Sequence, residues 1–290
     1  MVTGASGFLG RHLVRALRDA GREVVALSIR DPSSYIPLLA AGDSVFHLAA
    51  VRNHPRVQVR DMEEVNVRAT IELARRSLEA GVGRFVHVST AFQEAFGAYA
   101  DSKARAVREI RKLEGLQAVI VCPTIIFGPD DPSHPNRITS EIRRLLRQRV
   151  LLVLAGGRQA RNLVHVDDVV RGLLAAERRG GVGEEYVPGG EEIAPRDFGG
   201  LVLALAGLRP LATLSLPAGP ALAAARIADR WRKFDAGSGY ATAVQILLRE
   251  WRFSSDRARQ DLEYRPRPLA EGLSLTIEWL RASDGCSEVG

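Results

Sequence analysis

The sequence predicts an α/β protein, a doubly wound parallel sheet followed by a smaller, mostly helical C-terminal region. Two observations carry that expectation. Short runs rich in Val and Ile alternate with helix-period segments through roughly the first 170 residues, the pattern of βαβ units. Beyond Gly180, prolines at 188, 195, 210, 217, 220, 266 and 268 divide the chain into short helices and loops. The expected division is therefore residues 1–180 for the sheet domain and 181–290 for the second region.

Strands are expected over 24–29, 44–48, 84–89, 118–122 and 150–154, each a short apolar run. Helices are expected between them, over 9–20, 62–80, 99–113, 137–147 and 166–178. The alanine- and leucine-rich stretch 201–228 raises the question of a membrane-lying surface. Arg209, Pro210, Pro217 and Pro220 interrupt it, so short helices covering a substrate pocket are the expectation.

A chain of 290 residues and 31.6 kDa, 46% hydrophobic and 26% charged, has ordinary globular usage and can bury a sizeable core. Cys122 and Cys286 are too few for a disulfide framework or a cysteine zinc cage, which points to a reducing compartment and a cytoplasmic protein with no metal. The start has no basic segment followed by a long apolar one, and no uncharged run reaches the roughly 18 residues a membrane span needs. The net charge of +6 and pI near 9.8 invite a nucleic-acid reading. The 40 basic residues, however, are three lysines and 37 arginines scattered among 34 acids, so no nucleic-acid partner is expected.

The opening run Thr3-Gly4-Ala5-Ser6-Gly7-Phe8-Leu9-Gly10 leads straight into a helix. A strand turning sharply into a helix needs one glycine for the turn. It needs a second for backbone to approach phosphates, and a third for helix to pack on strand. Gly4, Gly7 and Gly10 fit those roles, and the free N–H groups of the helix would hold a dinucleotide pyrophosphate. Only Met1, Val2 and Thr3 precede the loop, so the natural chain is expected to begin upstream. After the second strand the chain carries Ser28-Ile29-Arg30 in place of an acidic residue for the ribose 2′-hydroxyl. Arg30, with Arg11, favours the 2′-phosphate of NADP, with NAD the alternative.

Tyr99 and Lys103 stand four residues apart on one helix face. An ammonium near a phenol stabilises the phenolate, which lets tyrosine exchange a proton with an alcohol or carbonyl. Upstream, Arg84-Phe-Val-His-Val-Ser-Thr90 reads as a buried strand ending in two hydroxyls, where Thr90 or Ser89 can meet a substrate oxygen. His87, inside that strand, is expected to be a core residue.

These pieces resemble the extended short-chain dehydrogenase/reductase superfamily, the NAD(P)-dependent epimerase/dehydratase group, over nearly the whole chain. The resemblance also rests on His47-Leu48-Ala49-Ala50, Asn66-Val67-Arg68-Ala69-Thr70, Cys122-Pro123-Thr124-Ile125-Ile126-Phe127-Gly128-Pro129, the run from Arg161 through His165 to Asp168, and Tyr264-Arg-Pro-Arg-Pro268. It implies a Rossmann-like fold, with Tyr99 as acid/base, Lys103 on the nicotinamide ribose and lowering the tyrosine pKa, and Thr90 orienting the substrate. By the same carry-over Ser6, Phe8 and Leu9 join the glycines around the cofactor. Leu48, Ala49 and Ala50 would flank it, Pro123 and Thr124 would border the nicotinamide, and Arg161 would hold a substrate diphosphate. Asp167 is expected to cap a helix. A homodimer through the Tyr99 helix and its neighbour is also implied.

Three departures shape the expectation. Ala91-Phe92 follow Thr90 where sugar-nucleotide dehydratases carry an Asp-Glu pair, which argues against dehydration. Only nine positions separate Thr90 from Tyr99, and 30–44 leaves no room for the usual third strand with its helix. Arg30-Asp31-Pro32 and the Arg-Pro-Arg-Pro ending look like the dihydroflavonol reductase and 3β-hydroxysteroid dehydrogenase branch. The leading expectation is an NAD(P)-dependent oxidoreductase acting on a ketone or alcohol of a small-molecule substrate. A nucleotide-sugar epimerase is the alternative, and a non-catalytic NAD(P)-binding regulator or assembly factor the rival from another class.

Overall fold

The computed structural model describes residues 1–28, 38–52, 57–92, 97–129, 137–232 and 239–285. The first half builds a parallel sheet. Its strands are β1 (Val2–Thr3), β2 (Ala26–Leu27), β3 (Ser44–His47), β4 (Arg84–Val88) and β5 (Ala118–Val121), joined later by β9 (Glu185–Tyr186). The order across the sheet is β2-β1-β3-β4-β5-β9, with every neighbouring pair parallel. Successive residues alternate between the faces, and both faces are apolar, as a parallel sheet covered on both sides requires. Val2, Phe46, Val86 and Val119 pack with Leu13 and Leu173 on one side. Val45, Phe85 and Ile120 pack with Leu73 and Ile110 on the other.

The helices that cover it are α1 (Phe8–Asp19), α2 (Val59–Met62), α3 (Ala69–Glu79), α4 (Ala98–Ile110) and α6 (Val166–Arg179). The helix expected over 62–80 is interrupted, because Glu63–Arg68 is a π-turn between α2 and α3. Of the strand expected over 24–29, Ala26–Leu27 form β2, and Ile29 lies outside the described residues. Among the described residues β2 is the outermost strand on that side, with Val25 40% exposed.

The remaining elements are β6 (Ile125–Phe127), α5 (Arg137–Gln148), β7 (Val150–Leu154), β8 (Arg161–His165), β10 (Glu191–Ile193), α7 (Pro195–Leu205), β11 (Ala212–Leu216), α8 (Ala218–Arg232), α9 (Tyr240–Leu248), α10 (Asp256–Leu262) and α11 (Leu269–Gly285). β10, β8 and β6 form a second sheet, and β11 pairs with β7 in a third. Ile142, Leu151, Leu163, Phe198 and Leu273 fill a separate core between them. β9, beyond residue 180, joins the first sheet, whereas β6 and β8 pair outside it, so strands pass between the two regions. No described helix is long and apolar enough to cross a membrane.

Candidate active site

The opening glycines are held where no side chain fits. Gly4 sits at φ +69°, and a Cβ there would meet the Ala49 backbone nitrogen at 2.7 Å. A Cβ on Gly10 would lie 2.1 Å from the Gly4 carbonyl oxygen, so the helix packs directly on the turn. Gly7 is the N-cap of α1 and supplies no side-chain cap, which leaves the first N–H groups of the helix without a side-chain acceptor. This cradle fits a dinucleotide pyrophosphate.

Beneath the turn, buried polar groups tie the strand ends together. Thr3 Oγ1 bonds His47 Nδ1 at 2.7 Å, and His47 Nε2 bonds Thr70 Oγ1 at 2.9 Å. Burial lowers the His47 pKa to about 3, with the Lys103 charge reinforcing it. His87 stacks on His47 at 5.5 Å, is wholly buried, and has no hydrogen-bond partner for either ring nitrogen. It lies within the strand core.

A cavity of about 540 Å³ opens above the loop. Gly4, Gly7, Phe8, Leu9 and Gly10 form one wall, Leu48 and Ala50 another, and Thr90, Tyr99, Thr124 and Arg161 face the same space. Ala49 lies behind, its backbone against Gly4. Pro123 is buried, its carbonyl accepting from the Ala91 N–H at 3.1 Å. Thr124 Oγ1 donates to Asn162 Oδ1 at 2.8 Å. Lys103 is only 1% exposed, and it lies outside the wall. Arg30 lies outside the described residues. Ser6 belongs instead to a neighbouring cleft of about 430 Å³, shared with Arg11, Arg15, Arg18, Asp19 and Ser28. There the Ser6 N–H donates to Ser28 Oγ at 3.1 Å and Arg11 Nη1 donates to the Ser6 carbonyl at 2.7 Å.

Burial raises the Tyr99 pKa, and the Arg52 charge opposes the rise. Burial lowers Lys103 to about 8. Arg161 is lowered by burial, with Glu141 at 3.7 Å opposing and Arg137 reinforcing the shift. Asp167 is not the cap of α6. His165 is the N-cap and accepts from the Asp167 N–H, while the Asp167 carboxylate reaches across to His12 Nδ1 at 2.9 Å. That bond to His12 holds its pKa down at about 2.

Several lining residues escaped the sequence reading, namely Arg52, Arg137, Arg249, Trp251 and the α9 residues Thr242, Ile246 and Leu247. Phe92 meets Trp251 at 5.2 Å and Phe253 at 4.8 Å, edge to face, and the Arg249 guanidinium sits 4.7 Å over the Trp251 ring. Among the described residues, four arginines and no carboxylate line the cavity.

A parallel sheet with a glycine turn under a cavity carrying Tyr99 and Thr90 is the architecture of a nicotinamide-dinucleotide enzyme. The family model described as the NAD dependent epimerase/dehydratase family matches residues 1–189, and the chain belongs to that family of NAD(P)-dependent enzymes. Among curated relatives, the 4-hydroxy-2-methyl-3-oxo-4-farnesyl-3,4-dihydroquinoline-1-oxide ketoreductase of Stigmatella aurantiaca is 28% identical, covering 92% of this chain and 91% of its own. Among solved structures, gox2253 superposes with a TM-score of 0.81 at 27% identity, covering 97% of each chain. MoeE5 in complex with UDP-glucuronic acid and NAD gives a TM-score of 0.75 at 27% identity, covering 97% of this chain and 98% of that one.

Proposed function

We propose that the protein is an NADP-dependent oxidoreductase that interconverts a ketone and an alcohol on an apolar small molecule. The observation that carries the reading is the convergence of Gly4–Gly10, Thr90 and Tyr99 on one cavity. The residues for the cofactor are Gly4, Gly7 and Gly10 with the α1 N-terminus for the pyrophosphate, and Leu48, Ala50 and Thr124 in the wall beside the nicotinamide half, with Ala49, Pro123 and Lys103 outside that wall as its supports. Bound there, the dinucleotide supplies or accepts the hydride. Tyr99 donates its phenolic proton to the carbonyl oxygen in reduction and takes it back in oxidation, while the Thr90 hydroxyl holds that oxygen. Arg52 favours the phenolate form. Phe92, Trp251, Ile246 and Leu247 exclude water and accept an apolar ring or chain.

The NADP preference is supported by Arg11, Arg15 and Arg18 around the cleft at Ser28, and titration calorimetry against both cofactors tests it. The farnesylated substrate in the name of the Stigmatella aurantiaca ketoreductase fits the apolar wall. Dehydration is disfavoured, because Phe92 is packed on Trp251 and Phe253 where an acid would be needed. A homodimer through α4 is part of the proposal, and sedimentation checks it.

Nucleotide-sugar epimerisation is the second reading, favoured by Arg137 and Arg161 side by side in the cavity wall. Incubation with NADPH and a panel of aryl and polycyclic ketones decides between them. Stoichiometric NADPH consumption supports the reductase. Interconversion of UDP-sugars with the cofactor pool unchanged overturns it.

A further inference from the structure

We propose that α8 docks the protein on an anionic lipid bilayer, its apolar face entering the headgroup region and its arginines meeting the lipid charge. The inference is independent of the catalytic reading. α8 packs against α9, and Ala225 is its buried residue. Ile227, 61% exposed, and Trp231, 85% exposed, stand one helical turn apart and so on one face. An exposed tryptophan beside an aliphatic residue, flanked by exposed arginines at 226 and 230, is the arrangement of an interfacial helix, while Arg232 turns to α9, 5.9 Å over the Tyr240 ring.

Apolar exposure continues in the strand that leads into the helix. Leu211, Leu214 and Leu216 are 66%, 53% and 56% exposed. Leu214 is in register with Leu152, itself 47% exposed, so the β7–β11 pair turns a leucine face to solvent while Leu151 and Val153 fill the core behind.

Charge selects the occupant. Residues 205–248 hold five basic and two acidic side chains. Asp229, the carboxylate of α8, is occupied by the Tyr240 and Ala241 N–H groups at 2.5 and 2.9 Å, where it holds the start of α9. A second copy docked through the same face would bring a surface of like charge against it. An anionic bilayer neutralises Arg226 and Arg230, at about fivefold in partitioning per arginine. α9 also supplies Thr242, Ile246 and Leu247 to the cavity, which puts the docking helix one helix away from the site.

Flotation of the full chain with phosphatidylglycerol/phosphatidylcholine vesicles and with pure phosphatidylcholine vesicles tests this. The expected result is binding to the anionic vesicles alone, weakened by salt, with a blue shift of tryptophan emission. Ile227→Ser/Trp231→Ser abolishes both signals, and Arg226→Glu/Arg230→Glu lowers binding by at least about tenfold, with circular dichroism unchanged in each. No flotation of the wild-type chain overturns the proposal. So does flotation that survives both variants, and so does a concentration-dependent dimer that the same variants dissolve without any vesicle binding.

Discussion

Asn66 Nδ2 donates to Ser102 Oγ at 2.9 Å, and Ser102 Oγ donates in turn to the Tyr99 carbonyl at 2.8 Å. The same Asn66 side chain accepts from the Val51 N–H at 2.7 Å and donates to the Val51 carbonyl at 2.9 Å. One buried amide thus ties the loop after β3 to the helix that carries Tyr99 and Lys103, and it projects from the π-turn at Glu63–Arg68. The extra residue of a π-turn rotates a side chain off the regular helical face, and such turns recur at functional sites.

Asn66→Ala is expected to cost about 2–3 kcal/mol of stability, because it strands buried polar partners. Turnover should fall further than unfolding explains, since α4 loses its anchor. Denaturant titration beside kinetics measured well below the unfolding midpoint checks it; activity at the wild-type level would remove the positioning role.

Gly10→Ala places a methyl group 2.1 Å from the Gly4 carbonyl. The overpacking costs about 1–3 kcal/mol and displaces the turn from α1, so dinucleotide affinity should drop while the remaining sheet is retained. Calorimetric titration with NADPH and NADH reads the outcome, and unchanged affinity would mean the cradle is not the cofactor site.

Stability should fall as pH drops below about 6.5. His47 is lowered to about 3 and His165 to about 4 by burial, whereas an unfolded histidine titrates near 6.5. Between those limits the unfolded chain binds protons that the native one excludes, so each histidine removes about 1.4 kcal/mol per pH unit. The window for His165 is pH 6.5 to 4, and His47 continues to about 3. A thermal midpoint flat from pH 7 to 5 would contradict this.

Arg52→Ala removes the cation that holds the Tyr99 phenol down against burial. The limb of the kcat/KM profile for alcohol oxidation that rises with pH should move to higher pH. Unmoved limbs would assign the titration to another group.

How much of this was legible in the sequence depends on locality. The Gly4–Gly10 turn and the helix that carries Tyr99 are written in short local stretches, so both elements could be anticipated; Gly4, Gly7, Gly10 and Tyr99 line one cavity, whereas Lys103 is buried outside its wall. The end of the hydrophobic run offered Ser89 or Thr90, and the family resemblance chose Thr90. Arg52, Arg137, Arg249 and Trp251 sit on loops and helix ends with no periodic signal, and tertiary packing alone brings them to the cavity. β6 and β10 have three residues each, too few for alternation to register. The electrostatics were least legible. Arg52 reaches Tyr99 from another part of the chain, and the His12 contact that takes Asp167 out of its expected capping role spans 155 positions.

The most direct measurement compares Tyr99→Phe with the wild type for NADPH affinity and for turnover of a ketone substrate. Affinity is expected to be unchanged and turnover reduced by about 10²–10⁴-fold, the contribution of a positioned proton donor. Turnover preserved in Tyr99→Phe would contradict that role.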